Sequence, residues 1–170
     1  MKKNIAVIII DMQDFFLRNF PVSISNKLLD NQKEIINICV IKKLPFILLE
    51  YKAGGIIRGE TTLKLRKLLK NSKVIIKANN SGFTHTNLDE ILRDVHIGTV
   101  LLMGLNANGC IQDTSIGALH RGYKVITSKG IIASSSRKDL TLSKRNEQWF
   151  KNNTIFFEDT DGLVGYLKSV

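Results

Sequence analysis

The order of hydrophobic and polar positions alternates between short apolar runs and longer stretches with helical spacing. The first run lies at 4–10, where apolar residues follow one another without a break from position 5. Such a run is typical of a strand covered on both faces of a sheet. The stretch 23–43 then places its apolar residues at helical spacing, which predicts an amphipathic helix. The same alternation continues to the end of the chain.

The alternating pattern predicts a mostly parallel sheet. We predict strands at residues 4–10, 46–50, 74–77, 99–103, 124–127 and 154–157. We predict helices at residues 23–43, 61–69, 87–95, 109–121, 138–152 and 159–168, with Gly122 as a left-handed cap after the fourth. Strands separated by helices need crossover connections, so the strands should run parallel with helices on both faces. The expected fold class is a doubly wound, Rossmann-like α/β fold.

Length and composition fit one domain. With 170 residues, 44% of them hydrophobic, the chain can bury a substantial core, and we predict one domain over residues 1–170. Asp11 interrupts the first apolar run well before the roughly 18–20 residues that span a bilayer. No small-residue cleavage site follows that run, so it does not predict a signal peptide. We expect a cytoplasmic protein with no membrane partner.

The net charge of +10 is compatible with nucleic-acid binding. The basic residues are scattered, however, and the denser groups at 64–73 and 137–145 fall on polar faces of predicted helices. No aromatic residues interleave with them as a base-stacking surface would require. The pattern therefore favours a solvated surface over a polyanion site, and we predict no nucleic-acid partner.

Two cysteines are too few for a disulfide framework, and no Cys-x-x-Cys pair suggests zinc or a redox couple. Cys39 lies in the apolar stretch 35–40 of a predicted helix, which indicates a core residue. Cys110 follows a glycine-bearing turn and enters a predicted helix at its first turn. The positive helix end and its backbone N–H groups favour a thiolate and can hold an oxyanion, although a structural role for Cys110 stays open.

The carboxyl ends of the strands are where ligands bind in open parallel sheets, near the reversal of strand order. Asp11, Glu50 and Lys77 come at the ends of the first three predicted strands, and the turn 104–110 follows the fourth. Burial raises the pKa of a carboxyl group at such a position, and an ammonium group lowers the pKa of a nearby thiol. Taken alone, Asp11 could equally be a turn residue, and Lys77 could equally be a surface residue. Together with Cys110 they supply a base, a cation and a nucleophile.

Three blocks of residues occur in the order and spacing of one known family. The blocks are 8–13, then Lys77 with 81–83 and 86–88, then 104–110 with Thr114, Ala118 and 122–123. Over nearly its whole length the chain resembles the isochorismatase-like cysteine hydrolases, which include nicotinamidases and related amidases. The resemblance implies a six-stranded parallel sheet between layers of helices and a triad of Asp11, Lys77 and Cys110. It also implies a cis peptide at Leu105–Asn106, which aims the N–H groups of Asn106 and Cys110 at the oxyanion.

The segment after the second predicted strand departs from the nicotinamidase pattern. Nicotinamidases have an Asp-x-His and further histidines there to bind a metal, whereas residues 48–55 contain no histidine. The three histidines of this chain are dispersed and lack metal-ligand spacing. We therefore predict no metal and no cofactor, and nicotinamide is not the expected substrate.

The expected substrate pocket is mainly apolar, as small-ligand sites tend to be. Phe16 occupies the aromatic position that faces the pocket in relatives. The other residues expected to line it are Tyr51, Phe83 and Leu105. Glu50 either contacts the substrate or pairs with a base such as Lys52, and the sequence does not separate these two roles.

The leading interpretation is a hydrolase that cleaves an amide-type C–N bond of a small uncharged or weakly polar molecule through an acyl-enzyme. Some relatives cleave a vinyl ether without a cysteine nucleophile, an interpretation that Cys110 argues against. A third interpretation is a catalytically silent domain that binds a ligand or partner. The charge of +10 leaves room for it, as does Phe15, which stands where relatives often have an acidic residue. Because relatives range from dimers upward, we expect a homo-oligomer.

Overall fold

Strands and helices follow one another along the chain in the predicted alternation. A computed structural model describes residues 4–134, 137 and 140–170. The strands in these ranges are β1 Ile5–Ile10, β2 Phe46–Ala53, β3 Ile56–Ile57, β4 Lys73–Lys77, β5 Thr99–Leu105, β6 Lys124–Ser128, β7 Ile132–Ala133 and β8 Ile155–Phe157. The helices are α1 Asp14–Leu17, α2 Val22–Ile41, α3 Leu63–Arg66, α4 Leu88–Asp94, α5 Gln112–Leu119, α6 Lys144–Asn153 and α7 Thr160–Ser169. A π-helical turn, Ala107–Ile111, leads directly into α5.

Six parallel strands form the body of the sheet, in the order β4–β2–β1–β5–β6–β8. β1 is buried along its whole length because β2 and β5 pair with its two edges. Along the chain, β2 and β4 follow β1 and lie on one side of it, whereas the later strand β5 lies on its other side. The strand order therefore reverses between β1 and β5, which is where a doubly wound sheet binds ligands at its carboxyl edge. The predicted fold class is confirmed.

Three short elements were not predicted. β3 pairs antiparallel with the end of β2 across a turn in which Gly54 and Gly55 have φ of 58° and 78°. Glycine adopts these angles without steric cost. β7 adds two residues beside the end of β5, and α1 is a single turn of four residues. Elements this short contain too few positions to show a hydrophobic period, which is why the pattern did not indicate them.

Helix α6 begins later than predicted. The expected start was residue 138, but the helix begins at Lys144, where Ser143 is the N-cap and its hydroxyl accepts a hydrogen bond from the Asn146 N–H at 3.2 Å. A serine cap of this kind fixes the start of a helix. Leu140 and Leu142 are buried, although neither residue is part of a helix. Positions 138 and 139 of the predicted helix lie outside the described residues.

The helices pack against one another and complete the core. Helix α2 packs against α3 and α7, and the Tyr123 hydroxyl, just after α5, donates a hydrogen bond to Asp89 of α4 at 2.7 Å. Cys39 of α2 is fully buried among apolar residues, which confirms its predicted place in the core. Gly122 has the predicted left-handed conformation, with φ of 85°. Within the described ranges, no helix has the length and apolar character needed to cross a bilayer.

Candidate active site

Asp11 lies at the carboxyl end of the central strand, next to the reversal of strand order. Its backbone is left-handed, with φ of 55°, and its N–H donates a hydrogen bond to the carbonyl of Leu49 at 3.0 Å. Aspartate is one of the few non-glycine residues that tolerate this conformation. The side chain is only 1% exposed. The first strand thus ends by placing a buried carboxyl group at the switch point.

Lys77, the last residue of β4, forms a buried ion pair with Asp11. Its Nζ atom lies 3.1 Å from each carboxylate oxygen, and its hydrogen bond is directed at Oδ2. The ammonium group also donates to the carbonyl of Asn79 at 3.3 Å and lies 4.7 Å from the ring centroid of Tyr51. Oδ1 of Asp11 is buried and accepts no hydrogen bond from the described residues. This oxygen is therefore available to accept a proton.

Cys110 brings a thiol to the same pair. Burial raises the pKa of Asp11, and this effect outweighs the attraction of Lys77. Burial and the negative charge of Asp11 in turn raise the pKa of Cys110 to about 12, although Lys77 opposes the shift. In the structure the Sγ atom makes its hydrogen bond to Asn80 Oδ1, at 3.8 Å. The ionisation of Asp11 and that of Cys110 thus affect each other. Rotation of the S–H bond would turn the thiol proton from Oδ1 of Asn80 toward the carboxylate of Asp11.

Lys77 lowers the pKa of the thiol, as expected, but burial and the negative charge of Asp11 together outweigh it. Cys110 is only 5% exposed, and the charge of Asp11 raises the pKa of the thiol more than the charge of Lys77 lowers it. The thiol is therefore protonated at neutral pH. A thiolate can form only together with proton transfer to a neighbouring base, and burial raises the pKa of Asp11, which suits it to this role.

The turn between β5 and Cys110 is built on two unusual backbone conformations. Gly104 has φ of 139°, and a Cβ atom there would lie 2.0 Å from the carbonyl oxygen of Ile10, so no other residue fits beside β1. Asn106 is left-handed, with φ of 64° and ψ of 60°. The predicted cis peptide at Leu105–Asn106 is wrong: every peptide bond of the described residues is trans. The left-handed asparagine reverses the chain in its place.

The helical segment begins at Ala107, two residues before the predicted start, and Cys110 lies in its first, π-helical turn. The carbonyl of Asn106 accepts hydrogen bonds from the N–H groups of Gly109, at 3.0 Å, and Ile111, at 3.1 Å. Those two donors are therefore engaged within the turn. They are not the groups that would hold an oxyanion.

Thr114 connects the helix of Cys110 to the loop that follows Lys77. Its hydroxyl donates to the carbonyl of Cys110 at 2.6 Å and accepts from the N–H of Gly82 at 2.9 Å. Thr114 is fully buried, and a side chain at Gly82 would collide with Leu49. The bridge could not be predicted from the residue pattern, because both partners of the Thr114 hydroxyl are backbone groups.

Gln13 is a second residue whose role was not predicted. Its side chain is fully buried; Oε1 accepts from the N–H of Tyr51 at 2.7 Å, while Nε2 donates to the carbonyls of Tyr51 at 3.2 Å and Gly59 at 2.7 Å. Gln13 thereby fixes the backbone of the tyrosine that lies over Lys77. A polar residue three positions after the end of a buried strand was the available signal.

Tyr51 and Phe16 form an aromatic wall beside the ion pair. Their rings meet edge to face with centroids 6.3 Å apart, and both side chains are half-buried. Tyr51 also lines an open depression of about 520 Å³ at the carboxyl edge. The other residues of the depression are Ala78, Asn79, Asn80, Ser81, Thr84, Asp113 and Ile116. The predicted aromatic positions are thus next to the candidate site, although the depression is more polar than expected.

Phe83 and Glu50 have structural contacts in place of the predicted pocket positions. The Phe83 ring is buried and stacks on Tyr123, with centroids 6.0 Å apart, and Arg121 lies 4.9 Å from its centroid. Glu50 is buried, and its Oε1 accepts from the N–H of Thr61 at 2.7 Å. It therefore ties β2 to the segment before α3, and the suggested pairing with Lys52 is not among the ion pairs of the described residues.

The described part of the chain contains no group of three or more His, Cys, Asp or Glu side chains placed to hold a metal ion. Leu105, the remaining predicted pocket residue, is fully buried at the end of β5. The side chains that the structure brings together are those of Asp11, Lys77 and Cys110, with Asn80 at the rim.

The fold and the site define an α/β protein in which a carboxyl group, a lysine and a cysteine meet at the switch point of a parallel sheet. The family model of the Isochorismatase domain matches residues 5–148. The chain therefore belongs to the isochorismatase family of hydrolases, in which amidases occur.

Individual relatives agree with this membership at low sequence identity. The Isochorismatase family protein 2A of Dictyostelium discoideum is 24% identical over 95% of this chain and 81% of its own length. The crystal structure of N-carbamoylsarcosine amidase from Thermoplasma acidophilum has a TM-score of 0.78 and 22% identity, over 93% of this chain and 97% of that one. A nicotinamidase from Staphylococcus aureus has a TM-score of 0.76 and 21% identity, over 94% of this chain and 99% of that one. At these identities the two structures establish the fold.

Proposed function

We propose that the protein hydrolyses a C–N amide bond of a small molecule through an acyl-enzyme on Cys110. The observation that supports this most is the buried ion pair of Asp11 and Lys77 beside the thiol, with one carboxylate oxygen free to accept its proton. Two of the structural relatives, by their names, are an amidase and a nicotinamidase, which agrees with amide chemistry.

The first step is proton transfer from the Cys110 thiol to Asp11. Before it, the negative charge of the site is on Asp11; after it, the charge is on sulfur, and Lys77 balances it in both states. Because burial raises the pKa of Asp11 and of the thiol alike, the transfer moves a charge inside the site without exposing it to a new environment. The thiolate then attacks the carbonyl carbon of the substrate.

The tetrahedral intermediate requires donors for its oxyanion and a proton for its leaving group. We assign the oxyanion to the backbone N–H group of Cys110, because the N–H groups of its neighbours Gly109 and Ile111 donate to the carbonyl of Asn106. Protonated Asp11 donates its proton to the nitrogen, the C–N bond breaks, and the amine leaves. Water, deprotonated by Asp11, then attacks the thioester; the C–S bond breaks, the acid leaves and the thiol regains its proton.

Replacement of each cysteine in turn tests this proposal. A panel of small primary amides and ureido compounds is incubated with the wild-type protein, Cys110→Ala and Cys39→Ala, and amine release is measured. We expect hydrolysis of at least one compound by the wild type and by Cys39→Ala, and none above background by Cys110→Ala. Equal hydrolysis by Cys110→Ala would exclude the cysteine nucleophile. No hydrolysis by any of the three would favour the silent, ligand-binding alternative.

A further inference from the structure

Asn80 contacts the candidate nucleophile from the solvent side. Its Oδ1 lies 3.8 Å from Sγ of Cys110, within hydrogen-bonding distance for a sulfur donor. Asn80 itself is exposed, whereas Cys110 is 5% exposed. The amide group of Asn80 is therefore an exposed polar contact of the buried thiol.

The surroundings of Asn80 make its amide the contact that a substrate replaces. Asn80 belongs to the loop 78–81 that follows Lys77, and it lines the depression of about 520 Å³ together with Tyr51 and Asp113. Below the thiol, the Lys77 ammonium group is engaged with Asp11, Asn79 and the Tyr51 ring. When the thiol turns its proton toward Asp11, Oδ1 of Asn80 loses its donor and needs another one.

We propose that Asn80 is a specificity-determining residue, whose Oδ1 accepts a hydrogen bond from the carboxamide N–H group of a molecule that Cys110 attacks. A carboxamide supplies this donor, and an ester of the same acid does not. The ester therefore leaves Oδ1 to water, which costs part of one hydrogen bond at an exposed site. The inference rests on the proposed function, since it names the substrate class that the same site selects.

Two alkylating reagents test the preference without any turnover. Iodoacetamide has the carboxamide N–H group, and methyl iodoacetate has an ester in the same position. With either reagent the Sγ–carbon bond forms, iodide leaves and the thiol proton is lost. Alkylation rates at Cys110 are measured by peptide mass spectrometry, with buried Cys39 as an internal reference. The ratio of the two rates is divided by the ratio that glutathione gives, which removes the intrinsic reactivity of the reagents.

We expect the corrected ratio of the wild-type protein to favour iodoacetamide about fivefold, the scale of one neutral hydrogen bond. Asn80→Leu, similar in size but without an acceptor, should bring the ratio to that of glutathione. Asn80→Asp should slow both reagents by its charge and keep the preference. Asn71→Ala, an exposed asparagine before the amino end of β4, is the matched control and should behave as the wild type.

A wild-type ratio equal to that of glutathione, or a preference that survives in Asn80→Leu, would overturn the proposal. A preference for the ester would do the same, because it would mean that Asn80 presents its NH₂ group. Failure of the proposed function is separable from these results. A protein that shows the Asn80-dependent preference but hydrolyses no amide would contradict the hydrolase proposal alone.

Discussion

The two cysteines of the chain are both buried thiols, and their environments differ in one respect. Burial raises the pKa of Cys39 to about 12, with Lys42 opposing the shift. The pKa of Cys110 is also raised to about 12, but there the negative charge of Asp11 adds to burial. What distinguishes Cys110 is therefore a carboxylate oxygen that can take its proton. A thiol pKa alone would not have told the nucleophile from the core residue.

Asparagine at position 11 should have the largest effect, because it makes the surroundings of Cys110 resemble those of Cys39. Loss of the proton acceptor is expected to reduce kcat about 100- to 10,000-fold. The same change removes the charge that raises the pKa of the thiol while Lys77 remains. Alkylation of Cys110 in Asp11→Asn should therefore begin at lower pH than in the wild type, although turnover is lost. An unchanged pH profile of alkylation would contradict the coupling.

Lys77→Met should separate the stability of the ion pair from its chemistry. Removal of one partner of a buried pair leaves an uncompensated charge, and the expected loss of unfolding free energy is about 3–5 kcal/mol. Urea denaturation measures this loss. The double variant Asp11→Asn with Lys77→Met removes both charges and should recover part of it. A single variant as stable as the wild type would show that the pair is more hydrated than the structure indicates.

Thr114→Val should have an intermediate effect, because it removes the bridge between Cys110 and Gly82 and keeps the side-chain shape. Two buried backbone groups lose their hydroxyl partner, so we expect about 1–3 kcal/mol of lost stability and a lower kcat. Thr114→Ser keeps the hydroxyl and should retain most of both. If the Ser variant loses as much kcat as the Val variant, the hydroxyl bridge does not account for the effect.

The smallest effect concerns alkaline pH, where the two cysteines should behave alike. Each thiol has a folded-state pKa of about 12 against an ordinary value of 9.0, so the unfolded chain releases its protons first as the pH rises. Stability should therefore fall through the window from pH 9 to 12, by on the order of 1 kcal/mol per thiol between pH 9 and 10. Cys39→Ala and Cys110→Ala should each flatten this decline in pH-dependent denaturation. A decline that neither variant changes would assign it to other groups.

The sequence predicted the parts of the site that depend on strand ends. Ile5–Ile10 could be recognised as a buried strand, so Asp11 had to lie at the carboxyl edge, and alternation brought Lys77 and Cys110 to the same edge. The family resemblance then assigned their roles together. Cys39 was likewise recognisable as a core residue from its apolar helical surroundings.

The parts that were missed depend on backbone geometry and on loops. The left-handed Asn106 replaces the expected cis bond, and neither conformation leaves a mark in the hydrophobic pattern. Asn80 contacts Cys110, and Thr114 contacts Gly82, between segments far apart in the chain. Phe83 was expected to line an apolar pocket, but its ring stacks on that of Tyr123.

The most direct test of the difference between the two cysteines is to trap the acyl group on one of them. The protein is mixed with a compound from the panel that it hydrolyses, and the reaction is stopped with acid during turnover. The masses of the cysteine-containing peptides are then measured by mass spectrometry. We expect an adduct with the mass of the acyl group on the Cys110 peptide, which hydroxylamine removes, and no adduct on the Cys39 peptide. Turnover that continues in Cys110→Ala, with no adduct on Cys110 in the wild type, would contradict the assignment of Cys110 as the nucleophile.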